Sequence, residues 1–200
     1  MFGSFLEHLG RAIYEGIYNP TSSLSDENGF RKDVAEEVRQ LGFQSFDIPE
    51  GISSPATLAR WCRARKDRPG TLDKAWNTIE TKQFGTDEFL AWCKLVGARP
   101  LMGLNLGTGT PEKAAALIEY CNVEKGTKWS ELRRSHGIAQ PYKVEHWCLG
   151  NEMDGPWQIG HMIATEYGMK AQDAARQMHY VDPTLKLIAY GSSHNRCLPI

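Results

Sequence analysis

The 200-residue sequence has no long hydrophobic run, no excess of charge of either sign and no regularly spaced cysteines. Its 23 Lys and Arg residues nearly balance its 24 Asp and Glu residues, so charge gives no reason to expect a nucleic-acid or membrane partner. No apolar stretch approaches the roughly 20 residues that cross a bilayer. The first residues, MFGSFLEHLGRAIYEGIY, have neither a basic segment nor an uninterrupted apolar one, and we therefore expect no secretory signal.

The five cysteines, at positions 62, 93, 121, 148 and 197, are an odd number and lack the spacing of a metal site. Because Cys93 and Cys148 fall in core-like positions, we predict reduced thiols and a cytoplasmic protein. His146 and His161 have no partner at ligand spacing, which favours packing or surface roles. The sequence also has no glycine fingerprint for a dinucleotide and no phosphate-binding loop, so we expect neither a cofactor nor a metal.

Short apolar segments alternate with longer amphipathic ones along the chain. This pattern predicts strands at 2–6, 43–48, 101–106, 144–149 and 185–190, and helices at 30–41, 86–96, 111–120 and 159–180. Gly42 and Gly97 follow two of these helices, and Pro111 opens a third, as is typical of helix ends and starts. Repeated strand–helix units predict an α/β protein with a parallel sheet.

Five strands are fewer than a complete (β/α)8 barrel has, since that fold needs eight strands and typically about 250 residues. The pattern starts inside a first strand and stops just after a fifth. We therefore predict a partial (β/α)8 TIM barrel, roughly strands one to five, with residues 1–200 forming the N-terminal part of one domain. A complete, smaller doubly wound fold is the alternative.

The segment 144–157, VEHWCLGNEMDGPW, contains the candidate catalytic residues. Its first six residues are mostly uncharged, which predicts a strand buried on both faces. Asn151 and Glu152 then lie at the C-terminal end of that strand, where parallel α/β folds place their chemistry. A carboxyl group there, with an amide beside it and Trp157 five residues on, suits proton transfer to a sugar oxygen. The alternative is a loop Glu that caps the following helix.

The chain resembles the α-L-arabinofuranosidases of glycoside hydrolase family 51 in five motifs: FGSFLEHLGRAIYEGIY, NGFRKDV, FGTDEF, NLGTGTPEKA and WCLGNEMDGPWQIGH. The similarity covers nearly the whole chain apart from one segment. It implies a (β/α)8 catalytic barrel with an appended β-sandwich, and a parent protein that is a homo-oligomer. It also implies the release of terminal L-arabinofuranose from arabinan, arabinoxylan or arabino-oligosaccharides, with retention of configuration by two carboxylates about 5 Å apart.

The resemblance implies roles for four residues. Glu152 matches the general acid/base, which protonates the leaving oxygen and then deprotonates water. Asn151 matches a residue that hydrogen-bonds the sugar near its 2-hydroxyl. Glu7 matches a carboxylate that holds arabinose hydroxyls, and Trp76 matches an aromatic residue on the aglycone side. From the residues alone, Glu7 is instead interpreted as a helix-start or salt-bridging residue, and Trp76 equally as a packing residue.

The first departure from the family concerns the nucleophile, which is a Glu on strand seven of the barrel. The predicted pattern ends after strand five, so we expect the 200 residues alone to be inactive. Glu145 does not replace the nucleophile, because it precedes Glu152 by seven residues at about 3.3 Å each.

The second departure is the segment 47–66, DIPEGISSPATLARWCRARK. Asp47 and Ile52 stand where the family has an Arg near the site and an Asn that binds sugar hydroxyls. One codon choice for residues 46–57, read from its third base, encodes the family's RYPGGNFVSGY. A codon choice for residues 58–66, read from its second base, encodes WRDGVGPE, close to the family's WEDGVGP. Our hypothesis is that compensating frameshifts, real or from sequencing, scrambled this loop; a true variant is the alternative.

Three interpretations of the whole chain follow. It is the N-terminal part of an α-L-arabinofuranosidase, a non-catalytic truncated or frameshifted fragment, or part of another retaining barrel glycosidase such as an endo-glucanase or a xylosidase. The EHLG and MDGPWQIGH motifs favour the first over the third. The expected partner is an arabinofuranosyl-containing oligosaccharide or polysaccharide, with no nucleic acid and no membrane.

Overall fold

The computed structural model describes residues 3–8, 10–48, 68–73 and 77–189. In chain order the elements are β1 Gly3–Phe5, α1 Lys32–Leu41, β2 Ser45–Ile48, β3 Thr71–Asp73, β4 Thr78–Glu80, α2 Thr86–Val96, β5 Arg99–Gly103, α3 Pro111–Asn122, α4 Lys128–Ser135, β6 His146–Leu149, α5 Ala164–Val181 and β7 Lys186–Ala189. No helix in these ranges is long and apolar enough to cross a membrane.

Five strands form one parallel sheet in the order β1–β2–β5–β6–β7. Each strand of this sheet pairs with its predecessor, and every connection between neighbours contains a helix. A doubly wound sheet would instead reverse its strand order at a switch point. The predicted partial (β/α)8 barrel is therefore confirmed over the doubly wound alternative.

The two faces of the sheet differ in burial. Phe46, Met102 and Trp147 lie on the buried face and join one hydrophobic core with side chains of the surrounding helices. On the other face, Phe5 is 50% exposed and Ile188 is 43% exposed. The prediction that the strand at 144–149 is buried on both faces is wrong: in β6 only alternate residues are buried. The reason is that the second face is not covered by other elements in the described ranges.

The cysteine prediction holds in part. Cys93, Cys121 and Cys148 are free thiols, and the first two are buried. Cys148 is only half-buried, because it belongs to the less covered face of β6. Cys62 and Cys197 lie outside the described residues.

The ends of several elements differ from the sequence prediction. The helix predicted at 159–180 begins only at Ala164, because the preceding residues form successive turns, in which Gln158 N donates to Gly155 O at 2.9 Å. The strand predicted at 101–106 is observed as Arg99–Gly103. Leu104 and Leu106 lie beyond that strand yet are fully buried. They extend the apolar pattern past the end of the strand, which is why the sequence predicts a longer one.

The hairpin β3–β4 and helix α4 were not predicted. The hairpin is antiparallel, with Leu72 opposite Ile79. Arg68, three residues before β3, forms a buried ion pair with α2, in which its Nη1 lies 2.7 Å from Glu88 Oε2. Helix α4 has Thr127 as its N-cap, whose side chain accepts a hydrogen bond from Ser130 N at 3.3 Å. Both elements thus depend on specific polar contacts rather than on a periodic apolar pattern.

Arg133 of α4 is completely buried. Its guanidinium donates hydrogen bonds to the main-chain carbonyls of Tyr120, Val123, Glu124, Ile138 and Ala139. The shortest of these bonds runs from Nη1 to Val123 O at 2.6 Å. One guanidinium therefore joins the end of α3 to the segment that follows α4.

Candidate active site

The turn after β6 holds an unusual backbone conformation. Gly150 has φ +101°, and a Cβ added there would lie 2.6 Å from the side chain of Met153. Glu152 has φ +47°, in the left-handed region that non-glycine residues rarely adopt. Such conformations cost about 1–3 kcal/mol and concentrate at functional sites.

The carboxylate of Glu152 is held by two donors from the same loop. Trp157 Nε1 donates to Glu152 Oε2 at 2.6 Å, and Gln158 Nε2 donates to the same oxygen at 3.2 Å. The main chain closes a turn beneath them, because Gly155 N donates to Glu152 O at 2.9 Å. The carboxylate therefore has a fixed orientation beyond the C-terminal end of β6.

The alternative that Glu152 caps the next helix is wrong. Helix α5 begins at Ala164, and the carboxylate at its start belongs to Glu166, whose Oε2 accepts from Ile163 N at 3.4 Å.

Glu7 lies near Glu152. It follows β1, and the C-terminal ends of β1 and β6 share one rim because both belong to the same parallel sheet. Burial raises the pKa of Glu7, and the negative charge of Glu152 raises it further. Within the described ranges, the Glu7 carboxylate makes no hydrogen bond.

Asn151 is half-buried between Gly150 and Glu152, and its amide also has no hydrogen-bond partner among the described residues. The structure thus brings Glu7, Asn151 and Glu152 to the same rim of the sheet. Trp76, the fourth predicted site residue, lies outside the described residues.

A polar cluster missed by the sequence analysis supports the loop that carries Glu7. Tyr14 Oη donates to Glu80 Oε1 at 2.5 Å, and His8 Nδ1 lies 3.3 Å from Glu80 Oε2. Burial, together with the hydrogen bond to Glu80, raises the pKa of Tyr14. Glu80 belongs to the hairpin and lies far from Tyr14 and His8 in the sequence. No local sequence motif therefore predicts their contact.

Asp47 faces the less covered side of the sheet. Burial raises its pKa to about 6. Burial also raises the pKa of Cys148 to about 11, with a further contribution from the charge of Asp47. The side chains of β2 and β6 therefore influence each other across this face. Residues 49–66, the rest of the divergent segment, lie outside the described residues.

The loop after β6 packs directly on the loop after β5. A Cβ at Gly107 would lie 2.8 Å from Ile159 O, and a Cβ at Gly160 would lie 2.6 Å from Gly107 C and O. Lys170 of α5 also donates to Gly107 O at 3.2 Å. This backbone contact has no room for a side chain at either position.

A parallel sheet in chain order, with carboxyl groups gathered at the C-terminal rim, defines part of a (β/α)8 barrel of the glycoside hydrolase type. A family model described as the alpha-L-arabinofuranosidase 1 domain matches residues 37–199. The chain belongs to the α-L-arabinofuranosidases of glycoside hydrolase family 51.

Two curated relatives illustrate the similarity. The chain is 50% identical over 196 residues to an intracellular exo-α-(1→5)-L-arabinofuranosidase 1 of Bacillus subtilis, covering 98% of this chain and 39% of the relative. It is 47% identical over 197 residues to an exo-α-(1→6)-L-arabinofuranosidase of Bifidobacterium longum, covering 96% of this chain and 37% of the relative.

Solved structures agree with the fold. An α-L-arabinofuranosidase from Thermotoga maritima in complex with arabinose has a TM-score of 0.90 at 45% identity, over 96% of this chain and 40% of that one. A family 51 α-L-arabinofuranosidase from Bifidobacterium longum has a TM-score of 0.92 at 40% identity, over 98% of this chain and 39% of that one. The chain thus spans about two fifths of the length of the relatives it matches.

Proposed function

We propose that this chain supplies the acid/base part of the active site of a retaining α-L-arabinofuranosidase. The proposed substrates are terminal α-L-arabinofuranosyl residues of arabinan, arabinoxylan or arabino-oligosaccharides. The observation that carries the proposal is Glu152, which lies beyond the end of β6 in a left-handed conformation, with Glu7 nearby and Trp157 bonded to its carboxylate. Relatives named for (1→5) and (1→6) linkages have similar identity, so the proposal concerns the terminal sugar rather than the linkage.

The proposed reaction has two steps. In the first, protonated Glu152 gives its proton to the glycosidic oxygen, which also takes the electron pair of the breaking C1–O bond, while a carboxylate nucleophile binds C1. In the second, Glu152, now a carboxylate, takes a proton from the water that displaces the nucleophile. Retention requires the two carboxyl groups to lie about 5 Å apart.

Glu7 and Asn151 are proposed to bind the sugar. Both lie at the rim beside Glu152, and neither polar group is engaged by another described side chain. A carboxylate accepts hydrogen bonds from sugar hydroxyls, and an amide can both donate and accept. We assign Glu7 to hydroxyl binding, Asn151 to the neighbourhood of the 2-hydroxyl, and Trp76, by resemblance only, to the aglycone side.

The nucleophile is assigned, by resemblance, to a strand-seven Glu that is not among these 200 residues. The polypeptide of residues 1–200 is therefore proposed to be the N-terminal part of the catalytic domain and to be inactive by itself. We further propose a cytoplasmic location and a homo-oligomeric parent protein. The location is supported by relatives from Bacillus subtilis and Acetivibrio thermocellus that are named intracellular.

The first test is substrate choice by the complete gene product. It should hydrolyse p-nitrophenyl α-L-arabinofuranoside in preference to the corresponding xyloside and glucoside. Preference for either of the other glycosides would favour a different retaining barrel glycosidase. No turnover of any of the three by the folded protein would favour the non-catalytic interpretation.

The second test is removal of the proposed acid. Glu152→Ala should lose roughly 10²-fold or more in activity on arabino-oligosaccharides, the usual contribution of general acid–base catalysis. Azide should restore turnover of the p-nitrophenyl substrate, because it attacks the covalent intermediate without a base. Glu145→Ala, an exposed Glu paired with Lys186, is the matched control and should retain activity. Unchanged activity in Glu152→Ala would refute the assignment.

A further inference from the structure

The two carboxylate oxygens of Glu152 have different environments. Trp157 Nε1 and Gln158 Nε2 both donate to Oε2, and neither donates to Oε1. An indole N–H is only ever a donor, so the direction of the shorter bond is certain from its chemistry. Trp157 is 51% exposed, and the buried side of its ring lies against Gly155, where an added Cβ would come to 2.6 Å from it.

The difference between the two oxygens determines which of them carries the proton when Glu152 is protonated. A carboxylate oxygen has two principal lone-pair sites, and at Oε2 two N–H groups occupy them. A proton added to Oε2 would have to displace one of these donors. A proton added to Oε1 displaces neither, so Oε1 is the oxygen that carries it.

The contact between the loops after β5 and β6 holds the two donors in place. Trp157 and Gln158 stand just before Ile159 and Gly160, whose main chain rests on Gly107. Because a Cβ on Gly107 would come within 2.8 Å of Ile159 O, any side chain at position 107 must push the donor-bearing segment away.

We propose that Trp157, assisted by Gln158, is a positioning residue. The hydrogen bonds from these two side chains occupy Oε2 of Glu152, so the acid proton is on Oε1, where it faces the leaving oxygen. The backbone contact between Gly107 and Gly160 holds Trp157 and Gln158 in place. The inference rests on the proposed acid role of Glu152.

The expected signature is a dependence on the leaving group. An arabino-oligosaccharide leaves as a sugar alkoxide that needs the proton, whereas p-nitrophenolate leaves with little help. Trp157→Phe keeps an aromatic ring but removes the donor. In the complete gene product, with azide present to replace the base-assisted second step, it should lower kcat roughly tenfold on the oligosaccharide and less than about threefold on the p-nitrophenyl substrate, a fraction of the full acid–base contribution.

The split between kcat and KM separates positioning from substrate binding. An exposed Trp that only stacks against the aglycone would raise KM for the oligosaccharide and leave kcat unchanged. Gln158→Leu provides a second variant and should show the same leaving-group pattern with a smaller loss, because its bond to Oε2 is the longer one, at 3.2 Å against 2.6 Å.

Gly107→Ala tests the backbone contact. It should reproduce the leaving-group pattern of Trp157→Phe although it removes no polar group. The matched control is Gly168→Ala in α5, where an added Cβ meets nothing within 4 Å, and this variant should keep the parent's kcat on both substrates.

The outcomes separate this inference from the proposed function. If Glu152→Ala shows the leaving-group dependence but Trp157→Phe lowers both rates equally, changes only KM or has no effect, then the positioning role is refuted and the acid role stands. Gly107→Ala with parent-like rates would refute the role of the backbone contact. If Glu152→Ala affects both substrates equally with azide present, which replaces the base-assisted second step, the acid role itself fails.

Discussion

Replacing Arg133 with methionine should destabilise the protein far more than the same change at the next residue. Methionine has a similar length and a good helix propensity, so the substitution removes the guanidinium and little else. Arg133 has no solvent exposure, and its guanidinium donates to five main-chain carbonyls. Three of these bonds, to Val123, Glu124 and Tyr120, measure 2.6, 2.7 and 2.8 Å.

The magnitude follows from those contacts. A buried acceptor left without a donor costs about 1–3 kcal/mol. Of the three short bonds, the one to Tyr120 O is buried and those to Val123 O and Glu124 O are partly buried. Relief of the cost of burying a charge offsets part of this loss. We therefore expect Arg133→Met to lower the free energy of unfolding by about 3–5 kcal/mol, in line with other buried charges whose partners are lost.

Arg134 is the matched control, one residue further along α4. Its side chain is exposed, with one bond to Ala139 O at 3.2 Å and a salt bridge to Glu131 at 3.5 Å. Such surface contacts contribute about 0–1 kcal/mol, so Arg134→Met should be nearly neutral. Arg133→Lys should fall between the two, because it keeps the charge but loses the planar fork.

Thermal and urea unfolding of the complete gene product, followed by circular dichroism, would measure these differences. Arg133→Met should lower both the Tm and the urea midpoint, whereas Arg134→Met should leave both nearly unchanged. If Arg133→Met and Arg134→Met differ by less than about 1 kcal/mol, the carbonyl cluster does not stabilise the fold as argued.

Three further predictions concern other parts of the chain. Asp47→Asn should stabilise the protein at pH 7.5 but not at pH 4. Burial raises the pKa of Asp47 in the folded protein from 3.8 to about 6, so the protonated carboxyl favours the folded state and this stabilisation is lost as the pH rises through about 6. After a discount for partial solvent exposure the gain is about 1–2 kcal/mol, and Tm against pH for both proteins would measure it; equal differences at the two pH values would contradict it. Thr127→Ala should cost about 1 kcal/mol in urea unfolding by removing the cap of α4, while Thr127→Ser, which keeps the hydroxyl, should cost less. Sequencing the gene across codons 46–66 should show codons whose shifted frames encode the family motifs, and codons that exclude those motifs would end the frameshift hypothesis.

The parallel sheet and its order could be predicted from local patterns in the sequence. The apolar segments around Phe46 and Trp147 mark buried strands, and Gly42 and Gly97 end helices in the left-handed conformation that glycine adopts at little cost. These features depend on neighbouring residues, so a reading of the sequence finds them.

The hairpin β3–β4 and α4 were missed because distant contacts support them. Arg68 pairs with Glu88 across 20 positions, and Arg133 bonds to carbonyls up to 13 positions away. Neither arrangement produces a periodic pattern of apolar residues in the sequence. The same limit applies at the site: the sequence placed Trp157 five residues after Glu152, but the bond between them depends on a turn whose path only the folded chain reveals.

The spatial order of the sheet has a consequence for how the chain is made. The strands β1, β2, β5, β6 and β7 lie side by side in the order of their synthesis. When each of these strands leaves the ribosome, the edge of the preceding strand is therefore already available for pairing. Within the sheet formed by the described residues, no strand has to be inserted between two that have already paired. Assembly of this part of the barrel can keep pace with translation, one strand and one helix at a time.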